Sequence, residues 1–170
     1  MDSGVDIIVR EPDNGRTGLA VQVMLGGEVQ PARESLAAYM ARSGVYVGLL
    51  FIGRRLLVLR DTFREVAPQS IDVVGDVSLE RVDGLVLPSS RDGVDAQARA
   101  WAYEATVERW LESLRDPGVV AGLAAEVRTV VEEWVLEEIR VGEIMATGPR
   151  YAPGGPTAKR CPVCLRPDDE

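Results

Sequence analysis

Apolar residues in the first part of the chain recur in short, strand-like runs. Residues 5–10 and 18–25 are mostly aliphatic, and the turn-forming sequence Pro-Asp-Asn-Gly at 12–15 lies between them. This pattern predicts a β-hairpin. The second run overlaps LAVQVMLGG at 19–27, in which Gln22 stands among residues that would otherwise pack well. Burying an amide costs desolvation unless the amide is hydrogen-bonded, so Gln22 is a candidate functional residue.

The residues that follow change from helical to strand-like spacing. The segment 31–42 has apolar residues three and four positions apart, and Gly44 comes shortly after it, which is typical of a helix C-cap. Two apolar runs, 45–52 and 56–59, are separated by a Gly-Arg turn and predict two more strands. The predicted order of elements is therefore ββαββ.

The C-terminal half has a mainly helical pattern. Residues 71–74 and 85–87 predict short strands or edge segments, whereas 95–114 carries apolar residues on one face at the helical period. Asp116 and Pro117 supply an N-cap and a first helical residue for another helix. These two helices predict a C-terminal helical hairpin.

Together these elements predict an α/β fold with a small mixed β-sheet. We expect an α/β core at 1–90, a helical hairpin at 91–146 and a flexible tail at 147–170 that contains Cys161-Pro-Val-Cys164. A chain of 170 residues is long enough to bury one proper core.

Composition excludes several classes of function. The chain has no histidine, which removes the usual general base and the nucleophile systems that depend on it. The net charge of −8 argues against a broad basic surface, so nucleic acid is not favoured as a partner. No apolar run is long enough to cross a bilayer, and the N-terminus lacks the features of a secretory signal. We therefore expect a cytoplasmic protein with no membrane partner.

The stretches VDIIVREPDNGRTGLAVQVMLGG and ESLAAYMARSGVYVGLLFIGRRLLVLRD resemble the core of the PD-(D/E)xK nuclease superfamily, which has a restriction-endonuclease-like fold. The resemblance covers about the first third of the chain and rests on element order and apolar pattern. It aligns Asp6 with the family's aspartate, Gln22 with its second acid and Met24 with its lysine. Some members carry glutamine-x-x-x-tyrosine on the next helix, where this chain has Ser35 and Tyr39.

The resemblance implies an active-site motif that is degenerate. In the family, two carboxylates hold Mg²⁺ and the lysine helps to activate the attacking water. Met24 has neither a charge nor a usable proton, and the only lysine of the chain is Lys159 in the tail. Gln22 offers only a neutral oxygen, which leaves Asp6 as the one anionic ligand. The expected role is that of a pseudoenzyme, an interaction or assembly component in bacterial defence or DNA processing.

Two alternatives stay open. An active Mg²⁺-dependent endonuclease would use Asp6 with unconventional partners such as Glu28 or Glu34, and Mg²⁺ is expected only in that case. The other alternative is a small α/β adaptor unrelated to nucleases, because many α/β proteins contain a hairpin with mixed strands.

Interaction residues are predicted outside the motif. Aromatic side chains are favoured at the centre of protein interfaces, so the tryptophans of the C-terminal helices predict a homodimer or a protein partner. The densest basic stretch is a candidate nucleic-acid or partner surface. The tryptophans are Trp101, Trp110 and Trp134, and the basic residues are Arg54, Arg55, Arg60 and Arg64.

The two cysteines have the spacing found in one half of a four-ligand zinc site. Cys161 and Cys164 have the CxxC spacing of a zinc knuckle. Without histidine or a second pair, a complete site needs the same knuckle from a second subunit, and an inert reduced tail is the alternative.

Overall fold

The structure, a computed structural model, describes residues 4–65, 68–89 and 95–147. It has a mixed α/β fold with a six-stranded sheet and five helices. The strands are β1 (Ile7–Arg10), β2 (Thr17–Met24), β3 (Val47–Ile52), β4 (Arg55–Asp61), β5 (Ile71–Ser78) and β6 (Glu143–Ala146), and the helices are α1 (Val29–Ser43), α2 (Ala96–Ser113), α3 (Pro117–Gly122), α4 (Ala125–Trp134) and α5 (Leu136–Val141). The α/β class predicted from the sequence is confirmed.

The strand order in the sheet is β5-β4-β3-β2-β1-β6. Strands β1 and β2 are antiparallel, whereas β2 and β3 are parallel, with Leu19 opposite Val47 and Met24 opposite Ile52. A parallel pair requires a crossover connection, and α1 provides it. The remaining pairs are antiparallel. Strand β2 therefore lies in the interior of the sheet, and β5 and β6 form its edges.

Helix α1 covers one face of the sheet, where it packs on β2 and β3. Leu36, Ala37 and Met40 of α1 are buried in the core on this face. The helix approaches β3 closely at Gly48, because a Cβ there would lie 2.5 Å from the Met40 sulfur. Gly44 ends the helix in the left-handed conformation, as its position in the sequence predicts.

Helices α2 to α5 cover the opposite face and build the larger core with the sheet. Trp110 of α2 packs edge-to-face on Phe51 of β3, with ring centroids 5.9 Å apart. Tyr103 of α2 donates a hydrogen bond to the carbonyl of Gly53, in the turn between β3 and β4. Burial raises the pKa of Tyr103 to about 12. These contacts bind the helical layer to the centre of the sheet.

The C-terminal part differs from the predicted hairpin. The described residues after 95 form four helices and strand β6. The chain is extended at Leu123 and Ala124, and it bends again at Val135, which keeps Val127, Val131 and Ile139 buried against the sheet. Because β6 pairs with β1 and the helices share the main core, the predicted boundary at residue 90 does not separate two cores.

Two further sequence expectations concern short segments. The predicted strand at 71–74 is part of the longer β5, whereas 85–87 forms no strand. In the ranges that the structure describes, no helix is both long and apolar enough to cross a membrane.

Candidate functional site

Asp6 immediately precedes β1 and lies beside the end of β2. Its amide donates a hydrogen bond to the Val21 carbonyl at 2.9 Å, and its carbonyl accepts one from the Thr147 amide at 2.8 Å. The Asp6 carboxylate accepts a hydrogen bond from the Val23 amide at 2.8 Å. Because β2 continues past the start of β1, that amide lacks a partner in the regular β1–β2 pairing. The carboxylate takes the place of the missing strand carbonyl.

Gln22 and Ser35 both lie beside Gly4. A Cβ on Gly4 would be 3.8 Å from Gln22 Nε2 and 2.7 Å from Ser35 Oγ. Gly4 has a φ of +63°, a conformation that favours glycine. The structure thus places two positions of the predicted nuclease resemblance, Gln22 and Ser35, beside the same residue, Gly4. We refer to Gly4, Asp6, Gln22 and Ser35 as the Asp6 corner.

The hydrogen bonding of the Gln22 amide explains only in part why a polar side chain stands in this strand. Gln22 Oε1 is buried, and it accepts no hydrogen bond from any part of the chain that the structure describes. An acceptor in this state carries its desolvation cost uncompensated. The Gln22 amide oxygen is therefore able to accept a hydrogen bond from a further donor group.

Met24 has a packing role at the end of β2. Its side chain packs against the core on the α1 face, with the methyl group beside Gly27, and its carbonyl accepts a hydrogen bond from the Gly53 amide at 2.8 Å. Tyr39 is half-buried and packs against the same core. The Met24 thioether and the Tyr39 phenol both lack the ammonium group that the lysine of the predicted nuclease motif would supply.

The acids named as alternative partners of Asp6 are surface residues, one just before α1 and one on it. Glu28 precedes the helix, is exposed and makes no side-chain capping bond. Glu34 is exposed and accepts a hydrogen bond from Gln30 Nε2 at 2.7 Å. The described segments contain no group of three or more cysteines, aspartates or glutamates arranged to hold a metal ion. Cys161 and Cys164, the candidate zinc ligands, lie outside the described residues.

The arginines of the basic stretch lie at the two opposite ends of β4. Arg55 begins the strand and forms a paired contact with Asp76 at 2.6 and 2.8 Å. Hydrogen bonds from Arg55 lower the pKa of Asp76. Arg60 lies at the other end of β4, with its guanidinium 4.4 Å from the centre of the Trp134 ring. Arg54 and Arg64 flank the two ends of the strand. The four arginines therefore do not form one continuous basic patch.

The three tryptophans do not share one surface. Trp110 is only 3% exposed and belongs to the core, so it offers almost no surface to a partner. A large ring on the buried stripe of α2 fills space above Phe51 instead. Trp101 and Trp134 are half-buried. Of the three, Trp134 is stacked against a surface arginine, Arg60.

A second group of polar residues was not anticipated from the sequence. Arg16 contacts Glu11 at 2.5 Å and Glu138 of α5 at 4.0 Å. The Arg16 hydrogen bond lowers the pKa of Glu11. Burial raises the pKa of Glu138, and Arg16 partly offsets this effect. The Glu138 carboxylate occupies the space where a Cβ on Gly18 would stand. No local pattern signals a contact between residues so far apart along the chain.

Comparisons of the chain with protein-family models, with curated proteins and with solved structures found no match. Function is inferred from the residues of this chain.

Proposed function

We propose that this protein is a non-catalytic domain with a PD-(D/E)xK-like core, which acts as an interaction or assembly component in the cytoplasm. The observation that carries the proposal is the state of the Asp6 corner. The Asp6 carboxylate is bonded to the Val23 amide, and the other two motif positions hold the neutral side chains of Gln22 and Met24. The resemblance to nucleases points to bacterial defence or DNA processing as the setting.

The order of elements around the corner supports the family resemblance. The strand that Asp6 precedes, β1, is a neighbour of β2, which carries Gln22; α1 follows, and the next strand, β3, is parallel to β2. The family core requires its two acidic positions on adjacent strands. A small α/β adaptor unrelated to nucleases is the alternative, because such an arrangement recurs on folds with different functions.

The chemistry of the corner supports the loss of catalysis. Mg²⁺ prefers hard oxygen ligands and is usually held by more than one charged group of the protein and substrate. Asp6 provides one carboxylate, one oxygen of which already accepts a backbone hydrogen bond. The thioether of Met24 cannot activate a water molecule. The Asp6 corner therefore corresponds to the metal site of the nuclease family but lacks the residues that would bind the metal.

The test compares the wild-type protein with a variant in which the motif is rebuilt. Wild-type protein should bind no Mg²⁺ in calorimetric titrations and should cleave neither plasmid nor single-stranded DNA. The double variant Gln22→Glu, Met24→Lys restores the family's residue types, and we expect it to gain Mg²⁺ affinity. The control is Gln30→Glu, Met145→Lys, which makes the same changes at exposed positions.

One outcome would overturn the proposal. Mg²⁺-dependent cleavage by the wild-type protein that is lost in Asp6→Asn would establish the active endonuclease instead. Asparagine keeps an oxygen that can accept the Val23 hydrogen bond, so a loss of cleavage in this variant would not result from unfolding.

A further inference from the structure

The two edge strands of the sheet differ in how they are protected from pairing with a further strand. Strand β5 has a bulge at Val74, where its pairing with β4 shifts, and it exposes Asp72 and Asp76. Bulges and charged side chains of this kind keep an edge from accepting another strand. Strand β6 pairs with β1 in one continuous register, and its charged residue, Glu143, lies opposite Arg10 of β1. The edge at β6 therefore lacks the bulge that protects β5.

The main chain of β6 presents hydrogen-bonding groups at this open edge. The Thr147 amide donates to the Asp6 carbonyl at 2.8 Å, in register with the pairing of β6 and β1. Because hydrogen-bonded residues alternate along an antiparallel pair, the odd-numbered residues of β6 bond to β1. The N–H and C=O groups of Ile144 and Ala146 consequently point away from β1. An added strand can pair with these groups.

The side chains of β6 leave apolar surface beside the open edge. Ile144 is half-buried and packs against the main core, whereas Met145 lies opposite Ile8 on the α1 face and is 42% exposed. Val141, at the end of α5 and shortly before β6, is 55% exposed. A strand added to β6 would remove part of this apolar surface from water, which favours the addition.

The order of residues in β6 is self-complementary about Met145. In an antiparallel pair of two β6 strands with a two-fold axis at Met145, Ile144 of each copy lies opposite Ala146 of the other. These are the residues whose main-chain groups point outward, so they can exchange hydrogen bonds. Glu143 then lies opposite Thr147, and no like charges stand directly opposite each other. Such self-complementarity is what a symmetric dimer requires.

We propose that two copies of this chain associate by pairing their β6 strands edge to edge, with Met145 at the two-fold axis. The proposal rests on the non-catalytic function proposed above, since it names the surface and the partner through which that domain acts. The pairing joins two six-stranded sheets into one and covers the exposed Met145 side chain of each copy with that of the other. Because each strand has only four residues, the buried area is small and the dimer is weak.

The first test is sedimentation velocity of the full chain from micromolar to near-millimolar concentration, where we expect a monomer–dimer equilibrium. Met145→Glu and Met145→Lys each place two like charges at the axis, so each should raise the dissociation constant by about tenfold or more. An equimolar mixture of these two variants should form a heterodimer, because opposite charges then meet. The controls Val86→Glu and Val86→Lys make the same changes at a side chain that is 70% exposed outside β6, and they should leave the equilibrium unchanged.

The second test concerns the main chain. Ala146→Pro removes an N–H that points to the open edge, a position where an edge strand tolerates proline, so the variant should fold but not dimerise. In the wild-type protein, hydrogen exchange at the Ile144 and Ala146 amides should slow as concentration rises.

Four results would overturn the proposal: a wild-type monomer at every concentration, a dimer unaffected by charge at Met145, a mixture without heterodimer, or a dimer that survives Ala146→Pro. Slow exchange at the Ile144 and Ala146 amides of a monomer, independent of concentration, would also overturn it and assign the edge to residues 148–170. Molecular mass is independent of Mg²⁺ binding and cleavage, so this proposal and the proposed function can fail separately.

Discussion

Replacing Asp6 tests whether its carboxylate is part of the fold or the remainder of a metal site. In Asp6→Ala the Val23 amide loses the oxygen that it contacts at 2.8 Å. In Asp6→Asn the side chain keeps an oxygen of nearly the same position but loses the charge. A carboxylate retained only for metal binding has a different signature, because removing such a residue usually leaves stability unchanged or raises it.

The expected magnitude follows from the environment of the hydrogen bond. A hydrogen bond to a charged group contributes about 1.5–3 kcal/mol, and a buried donor left without a partner costs about 1–3 kcal/mol. The Asp6–Val23 bond is only partly buried, so water can reach the amide in the variant. We therefore expect Asp6→Ala to lower the free energy of unfolding by about 1–2 kcal/mol, and Asp6→Asn by less than about 1 kcal/mol.

Urea denaturation followed by circular dichroism measures these differences. Asp72→Ala, an exposed aspartate on the edge strand β5, is the control and should change stability by less than about 0.5 kcal/mol. Hydrogen exchange provides a local measurement, since the Val23 amide should lose protection in Asp6→Ala and keep it in Asp6→Asn. Unchanged or increased stability in Asp6→Ala, or equal losses in the two Asp6 variants, would refute the structural role.

Three further predictions concern packing and titration. Gly48→Ala should lower the free energy of unfolding in urea by about 1–3 kcal/mol, because its methyl group would lie 2.5 Å from the Met40 sulfur. The double variant Gly48→Ala, Met40→Ala should lose less stability than the sum of the two single variants. Strict additivity would argue against this contact. The raised pKa of Glu138 means that the folded state binds its proton more tightly than the unfolded chain, so the stability it contributes is lost as pH rises above the ordinary value of 4.5. Glu138→Gln should therefore raise the midpoint of thermal unfolding slightly at pH 7, and this gain should vanish in acid. Because the site is partly solvated, the gain in stability should be less than about 1 kcal/mol. A lower midpoint at pH 7 would show that the Arg16 contact outweighs the effect of burial. Absorbance titration of tyrosinate should show a component near pH 12 that is missing in Tyr103→Phe, whereas titration of all tyrosines near the ordinary value of 10.0 would contradict the buried environment.

The amphipathic pattern was a good guide to elements that are local in the chain. The run predicted at 18–25 is found as β2, and the helix predicted at 31–42 lies within α1. Both signals depend on side-chain period and on the residues that end an element, such as Gly44. The pattern failed for β6, because this strand has only four residues, none of them fully buried, and it forms by pairing with β1.

The candidate site was predictable in its chemistry and not in its geometry. That Met24 and Gln22 are neutral follows from the sequence alone, as does the absence of any lysine in the described ranges. That the Asp6 carboxylate bonds to the Val23 amide depends on the unequal lengths of two paired strands. The burial of Trp110 depends on how α2 lies across Phe51. Such contacts join residues that no local period relates.

The sequence by itself determined the mixed α/β class and the residue types available for chemistry, because side-chain period and functional groups are properties of short segments. It excluded histidine chemistry throughout the chain. Only the tertiary structure decided that Arg60 and Arg64 stand apart from Arg54 and Arg55, since β4 extends between them. It alone brought Arg16 to Glu138 and exposed Phe63 beside Tyr46. These arrangements depend on the packing of distant elements on one sheet, which local sequence does not specify.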